Sequence, residues 1–316
     1  MKTSQFTRVR LGIVGIFLVL TGMAILIFSQ WPDEYVHIVV CDVGQGDAIL
    51  LTQGFSQVVI DAGVNEEQIL QCLREHLPFW DRQIDWIVPT HLDADHIGGF
   101  PAVLDRFQVQ NLLLPRDTKQ TADFERFEEA VLREQEAGAR LVTAQLGADV
   151  PVKSTWLLRV LYAPTARAPT QQPDFQPQTE TQLWDAKTLN ELNPSDSNNR
   201  STVLSFQYGQ VSVLLTGDLE EPVEQALVAR GMVTKHTILK VGHHGSKSSS
   251  SDAFLQVVQP EVALVSAGQN NRYGHPADSI LHRLRHYGAK NILRTDELGS
   301  IELSTDGRTV WQTSVK

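Results

Sequence analysis

The sequence predicts a layered α/β protein with one hydrophobic segment at its N-terminus, and three patterns carry that prediction. Apolar runs of strand length alternate with amphipathic stretches of helical period through most of the 316 residues, as in sheets covered by helices. Four of the strand-like runs end in turns that carry His or Asp, the place where functional side chains gather in layered α/β folds. Before all of this stands an uncharged apolar run, Leu11 to Phe28.

That run is 18 residues long. At about 1.5 Å of rise per residue it reaches the lower bound for a membrane-spanning helix. Lys2, Arg8 and Arg10 precede it, while Asp33 and Glu34 follow. Positive charge stays on the cytoplasmic side, so the expectation is a single N-terminal anchor in the cytoplasmic membrane with the rest of the chain outside. A cleaved signal peptide, leaving a secreted or periplasmic protein, is the alternative. The stretch Phe28-Ser29-Gln30-Trp31-Pro32 has no small-x-small cleavage site to support it. Trp31 and Tyr35 suit a membrane interface. Residues 1–31 are therefore expected to form the anchor or signal segment, and residues 32–316 one folded domain.

The elements follow in order. Val36–Cys41 and Ala48–Thr52 are expected strands, joined by the turn Gly44-Gln45-Gly46-Asp47. Gln57–Ile60 is a third strand, running into the tight turn Asp61-Ala62-Gly63. Glu66–Glu75 is helical, and Ile84–Val88 is a strand. Phe100–Phe107 is helical, Val109–Leu114 a strand, and Phe124–Ala137 a charged amphipathic helix closed by Gly138. Leu157–Leu161, Thr202–Tyr208 and Val211–Leu215 are strands, the last two sharing a turn at Gly209-Gln210. Glu221–Arg230 is helical, and Thr237–Val241 and Ala263–Ser266 are strands. Between Pro164 and Arg200 the chain is rich in Pro, Gln, Thr, Asn and Asp, which marks a long surface loop.

Composition narrows the function. The chain is 42% hydrophobic, enough for a full core, and its net charge of −10 argues against a general nucleic-acid binder. It leaves open an enzyme that meets a phosphate chain at a metal-filled cleft, because bound cations reverse the local field. The two cysteines, Cys41 and Cys72, have no CxxC partner. They read as small core residues, with a single bridge left open for an oxidising compartment.

The chemistry concentrates in Thr90-His91-Leu92-Asp93-Ala94-Asp95-His96-Ile97-Gly98-Gly99, directly after a strand. Four potential ligands, His91, Asp93, Asp95 and His96, fall within six positions. Mixed nitrogen and oxygen donors suit zinc, manganese or iron better than calcium. A helix cap at Asp95 would explain one carboxylate but not two histidines. Asp218 ends the strand Val213–Leu215 through Thr216-Gly217, and Gly242-His243-His244-Gly245-Ser246 ends another. His275, before Pro276, is balanced between substrate contact and loop packing. His37, His76, His236, His282 and His286 lie within elements or on solvated faces and are read as structural.

Together these segments resemble the metallo-β-lactamase fold. Asp42 to Ala48, Thr90 to Gly99, Leu215 to Glu220, Lys240 to Ser250 and Tyr273-Gly274-His275-Pro276 resemble more narrowly the exported hydrolase domains of the ComEC family of competence proteins, which are DNA-uptake channels. The similarity runs from about residue 36 to the C-terminus. It implies an αββα sandwich of two mixed sheets, with metals at one edge. The channel's further membrane helices and its oligonucleotide-binding-like domain have no counterpart here, so a stand-alone relative is expected. The usual pattern has a His where Asp93 stands and another before the Gly-Asp strand, yet no histidine occurs between His96 and His236. One metal site is thereby carboxylate-rich and expected to be weak, or to prefer a harder ion. Asn198, Asn199 and Ser201 are candidate weak oxygen ligands.

Carried over residue by residue, the resemblance implies two divalent ions, Zn or Mn. His91, Asp93 and Asp218 hold one; Asp95, His96, Asp218 and one histidine of the 243–244 pair hold the other. His243 is the expected ligand because it follows the strand directly, with His275 as alternative. Asp95, His244 and His275 are the expected catalytic groups, and Ser246 and Lys247 contact substrate phosphate. Ser248 to Ser251 are also read as a helix cap. The leading function is a phosphodiesterase or nuclease acting on DNA outside the membrane. The alternatives are hydrolysis of a small ester, lactam or surface phosphodiester such as phosphorylcholine, or a non-catalytic binding module. The oligomeric state is left open.

Overall fold

The computed structural model describes residues 2–164 and 196–313, with side chains from residue 13 onward. Most of the expected 164–200 loop thus lies outside the described residues.

Two mixed sheets face one another. The first has strand order β15-β14-β1-β2-β3-β4-β5-β6, from β1 (Val36–Val40), β2 (Ala48–Gln53), β3 (Ser56–Ala62), β4 (Gln83–Val88), β5 (Gln108–Leu114), β6 (Arg140–Thr143), β14 (Ile301–Thr305) and β15 (Val310–Thr313). The second runs β13-β12-β11-β10-β9-β8-β7, from β7 (Asp149–Val150), β8 (Trp156–Tyr162), β9 (Val203–Tyr208), β10 (Val211–Leu215), β11 (Ile238–Lys240), β12 (Val262–Val265) and β13 (Asn291–Arg294).

Helices cover the outer faces. On the first sheet lie α2 (Glu66–His76), α3 (Ala94–Ile97), α4 (Phe100–Arg106) and α5 (Ala122–Glu136); on the second, α6 (Glu221–Ala229), α7 (Asp252–Val258) and α8 (Asp278–His286). A short α9 (Thr295–Leu298) follows β13. Local sequence sets the helix starts. The Asn65 side chain accepts from the Glu67 and Gln68 amides, and Thr121 from that of Phe124. Buried Ile69, Leu70, Cys72 and Leu73 on α2, and Phe124, Phe127, Ala130 and Val131 on α5, form the stripes facing the sheet.

Apolar side chains fall into three layers: one between the first sheet and its helices, one between the sheets, one between the second sheet and its helices. This is the expected αββα sandwich. Each sheet carries a run of parallel strands linked by helices, β3-β4-β5-β6 in the first and β10-β11-β12-β13 in the second. Parallel crossovers bring the C-terminal ends of β3, β4, β10, β11 and β12 to one rim.

Three expectations change. The strands β6, β7, β13, β14 and β15 were not foreseen; β14 pairs with β1 across most of the chain, as in Val36 with Thr305. Cys41, just past β1, and Cys72 on α2 are joined in a disulfide with Cα atoms 5.8 Å apart, both lying in the same apolar layer. The expected anchor lies in α1 (Lys2–Ser29). Among the described residues, however, no helix is long and apolar enough to cross a membrane, the described side chains beginning past the first two residues of the run.

Candidate metal centre

The loop after β4 is held in place by close backbone approaches. A Cβ on Gly99 would lie 2.1 Å from the Ala62 carbonyl oxygen, and one on Gly46 2.1 Å from that of Asp95. Only glycine tolerates such contacts. Through them the end of β3 and the β1–β2 turn press against the His91–His96 segment, and the Asp47 amide donates to the Asp95 carbonyl at 3.2 Å.

Four donors converge at the rim. Ligand atoms of Asp95, His96, Asp218 and His244 all lie within 4.8 Å of one another. His96 Nε2 is 3.3 Å and His244 Nε2 3.4 Å from Asp218 Oδ2, and His244 Nε2 is 3.5 Å from Asp95 Oδ2. Both Nε2 atoms and Asp218 Oδ1 are buried without a hydrogen-bond partner. Buried polar atoms are rarely left so, and two imidazoles with two carboxylates are the donor set of a zinc- or manganese-type ion. The residues present fit one such ion.

Behind these donors stands a second tier of partners. The Ser266 carbonyl accepts from His244 Nδ1 at 3.0 Å, which leaves Nε2 as the ring nitrogen an ion at the cluster would meet. His96 Nδ1 lies 2.8 Å from Asp61 Oδ2. Asp61 also accepts from the Thr90 amide and hydroxyl, each at 2.7 Å, from a left-handed backbone conformation (φ 57°). Asp47 Oδ1 is 3.2 Å from His244 Nδ1, and its Oδ2 is 2.5 Å from Nζ of the fully buried Lys240. Asp47, Asp61 and His96 form a second cluster of donor atoms, but the two carboxylates in it are engaged by Lys240 and Thr90 as orienting groups.

Charge follows the same logic. Burial pushes the Asp218 carboxyl up, but the neighbouring His244 and His96 outweigh it and hold it well below the usual range. Burial lowers His96 and His244, while Asp218, with Asp61 beside His96 and Asp47 beside His244, carries both well above 6.5. Burial raises Asp95, yet His244 and His96 bring it down. In Asp47 the Lys240 ammonium overcomes burial and keeps the carboxyl low.

His91 and Asp93 are placed differently. His91 Nε2 lies 3.6 Å from Asp93 Oδ2 and has no hydrogen-bond partner. Burial, with His96 nearby, lowers the His91 pKa to about 4, so this imidazole is neutral. Asp93 Oδ1 accepts from Ser197 Oγ at 2.6 Å and pairs with the Lys119 ammonium. Among the described residues no cluster of three donors includes either residue. The two-ion set read from the sequence is therefore not assembled as expected. Nor do the candidate weak oxygen donors complete it: Ser201 Oγ accepts from the Asp218 amide at 3.0 Å, Asn199 Oδ1 from the Glu220 amide at 3.0 Å, and Asn198 reaches toward His243.

The histidine pair is the other correction. His243 was the expected ligand and His244 the expected catalytic group, but His244 enters the cluster. Both residues adopt left-handed backbone angles (φ 45° and 53°), which turn His243 away after the strand. His243 Nδ1 instead lies 2.9 Å from Glu220 Oε1, which also accepts from Ser248 Oγ at 2.6 Å. His275 stands beside His243, with ring centroids 5.6 Å apart, and stacks on Tyr273 at 5.8 Å. It belongs to the rim, not to the cluster. Ser246 Oγ is 2.9 Å from Ser248 Oγ, and Lys247 is exposed. The serine run does not cap α7 through a side chain; Glu224 takes the Ser250 and Ser251 amides at 2.6 and 2.7 Å. Burial pushes the Glu224 carboxyl up to about 7.

Sequence reasoning passed over Asp47, Asp61, Lys119, Glu220 and Lys240. Asp47 and Asp61 carried a usable signal, since both sit in small-residue turns at strand ends, as Asp218 does. Lys119 carried none.

Residues 41–269 match the metallo-beta-lactamase superfamily. ComE operon protein 3 of Bacillus subtilis is 31% identical over 278 residues, covering 83% of this chain and 32% of that protein. Competence protein ComA of Neisseria gonorrhoeae is 28% identical over 277 residues, covering 86% of this chain and 32% of that protein. The chain thus spans about a third of the length of these relatives. Among solved structures, YhfI from Bacillus subtilis, a metallo-beta-lactamase fold protein, aligns over 88% of this chain and 100% of its own with a TM-score of 0.50 at 11% identity. Zn(2+)-bound PqqB from Methylobacterium extorquens aligns over 85% of this chain and 99% of its own, also at 0.50, with 12% identity.

Proposed function

The chain belongs to the metallo-beta-lactamase superfamily, and from that membership we propose that it is a metal-dependent phosphodiesterase that cuts DNA outside the cytoplasmic membrane. The carrying observation is the set of unpartnered donor atoms of His96, His244 and Asp218, oriented by Asp61 and the Ser266 carbonyl at a shared strand-end rim. When bound there, a divalent cation supplies Lewis-acid polarisation of a phosphoryl or carbonyl oxygen and eases the deprotonation of water at neutral pH.

The chain's own residues do the rest. Asp95, about a third exposed, reaches from the cluster toward solvent and is placed to orient the attacking water. His243, His275 and Tyr273 form a ring-lined rim on which a base or sugar can rest. Lys119, Arg200 and Lys247 give local positive charge for phosphate oxygens on a chain whose net charge is −10. The likeness to competence proteins supports DNA as the polymer.

The anchor is part of the same proposal. The large side chains from Ile13 to Phe28 stand open, Phe17 at 67% and Phe28 at 76%. Exposed Trp31 packs edge-on against Phe55, and exposed Tyr35 against Trp311. These rings lie where β1 and β3 begin, opposite the rim where β3 ends. A disulfide fits an oxidising compartment.

The test incubates the detergent-solubilised chain with Mn or Zn and linear single- and double-stranded DNA, beside a chromogenic phosphodiester and a lactone. DNA cleavage lost in Asp218→Ala is expected. Intact DNA with every metal overturns the nuclease reading. Turnover of a small substrate alone favours the second reading, hydrolysis of a small ester or surface phosphodiester, for which the acidic balance of the chain speaks.

A further inference from the structure

We propose that the centre holds one divalent ion, and that the Lys119 ammonium stands in for a second cation against Asp93. This rests on the metal reading above and adds to it the number of ions and the residue that sets that number. The expected partners of a second ion are His91, Asp93 and Asp218. The structure offers two of them together, His91 Nε2 and Asp93 Oδ2 at 3.6 Å, with no third donor among the described residues. Protein-held zinc sites ordinarily use three or four protein ligands.

The other Asp93 oxygen is already committed. It receives the Ser197 hydroxyl at 2.6 Å and the Lys119 ammonium, whose side chain is about a quarter exposed. A lysine ammonium balances the carboxylate charge without needing the imidazole ligands that this chain lacks. Arg200 sits in the same region, paired with Asp117 at 2.6 Å with little exposure of either side chain. The side of the cluster that would otherwise carry a second metal is therefore lined by fixed organic cations. Lys119, exposed on one side, is also placed to meet a phosphate oxygen of the substrate as a point charge.

The experiment counts ions. The full chain in detergent, stripped with chelator, is dialysed against graded Mn2+, and bound metal is measured per chain with the electron paramagnetic resonance spectrum of the bound ion. One ion per chain with the hyperfine pattern of an isolated Mn2+ is expected for the wild type and for Lys119→Arg. In Lys119→Ala, folded by circular dichroism, a second ion is expected to bind about tenfold or more tighter than in the wild type. Its spectrum should show coupling between neighbouring ions. Two ions of comparable affinity in the wild type, or no change in Lys119→Ala, overturns the role of Lys119 while leaving the metal reading intact. No bound ion in the wild type overturns the metal reading and this proposal with it.

Discussion

The two halves of one short loop meet different fates. In the second half, Asp95 and His96 face Asp218 and His244, and their neighbours (Asp61, Asp47, Ser266) keep the donor atoms aimed inward. In the first half, His91 and Asp93 face each other, and Lys119 and Ser197 occupy the carboxylate. The side-chain types are the same, one His and one Asp in each half. What differs is how many donors other strands bring to each, and whether a carboxylate is already neutralised. A ligand-like sequence makes a site only where orphaned donors converge.

The sharpest way to break this contrast is Asp218→Ala. Losing the carboxylate shared by His96 and His244 should weaken ion binding beyond the roughly 100-fold that loss of an orienting partner costs. Equilibrium dialysis reads it, and chelator should then no longer lower the melting temperature. Lys240→Met tests the supporting tier. It strands Asp47 in the interior, an effect of about 3–5 kcal/mol in urea unfolding, and a paired Asp47→Leu should restore most of it.

Glu224 gives a pH signature away from both halves. Its folded pKa of about 7 lies above the ordinary 4.5, so the folded state holds the proton more tightly. The resulting stability is fully present below about pH 4.5 and lost as pH rises to about 7, roughly 3 kcal/mol in all. Denaturation across that window should slope in the wild type and be flatter in Glu224→Gln.

Asp61→Ala frees the His96 ring and should cost about 10–100-fold in ion affinity, seen in the same dialysis. The smallest effects belong to the first half and the rim. Asp93→Ala and His243→Ala should leave binding at the four-donor position unchanged and shift stability by about 1 kcal/mol or less, since both side chains are partly exposed. A large loss of that ion in either would erase the distinction drawn between the halves.

Much of the fold was legible in local patterns. The strand Val211–Leu215 was read to the residue, and β1 to β5 within a residue or two at most ends, because strands buried on both faces leave short continuous apolar runs in the sequence. The strands β14 and β15 were not, since β14 depends on pairing with the distant β1 and β15 on pairing with β14. Asp218 was legible because an apolar strand ending in Gly-Asp exposes a carboxylate at a strand tip. The choice between His243 and His244 was not, because two left-handed residues reversed the order that a strand's simple alternation suggests.

By itself the sequence determined the family, the sandwich and the supply of donors, since these follow from hydrophobic period and residue type. Tertiary structure alone decided the disulfide, the burial of Lys240 against Asp47, the preference for His244, and the arrival of Lys119 at Asp93. Each of those joins groups distant along the chain. Their energies depend on separation and on the loss of water around them, and neither quantity is written in the order of the residues.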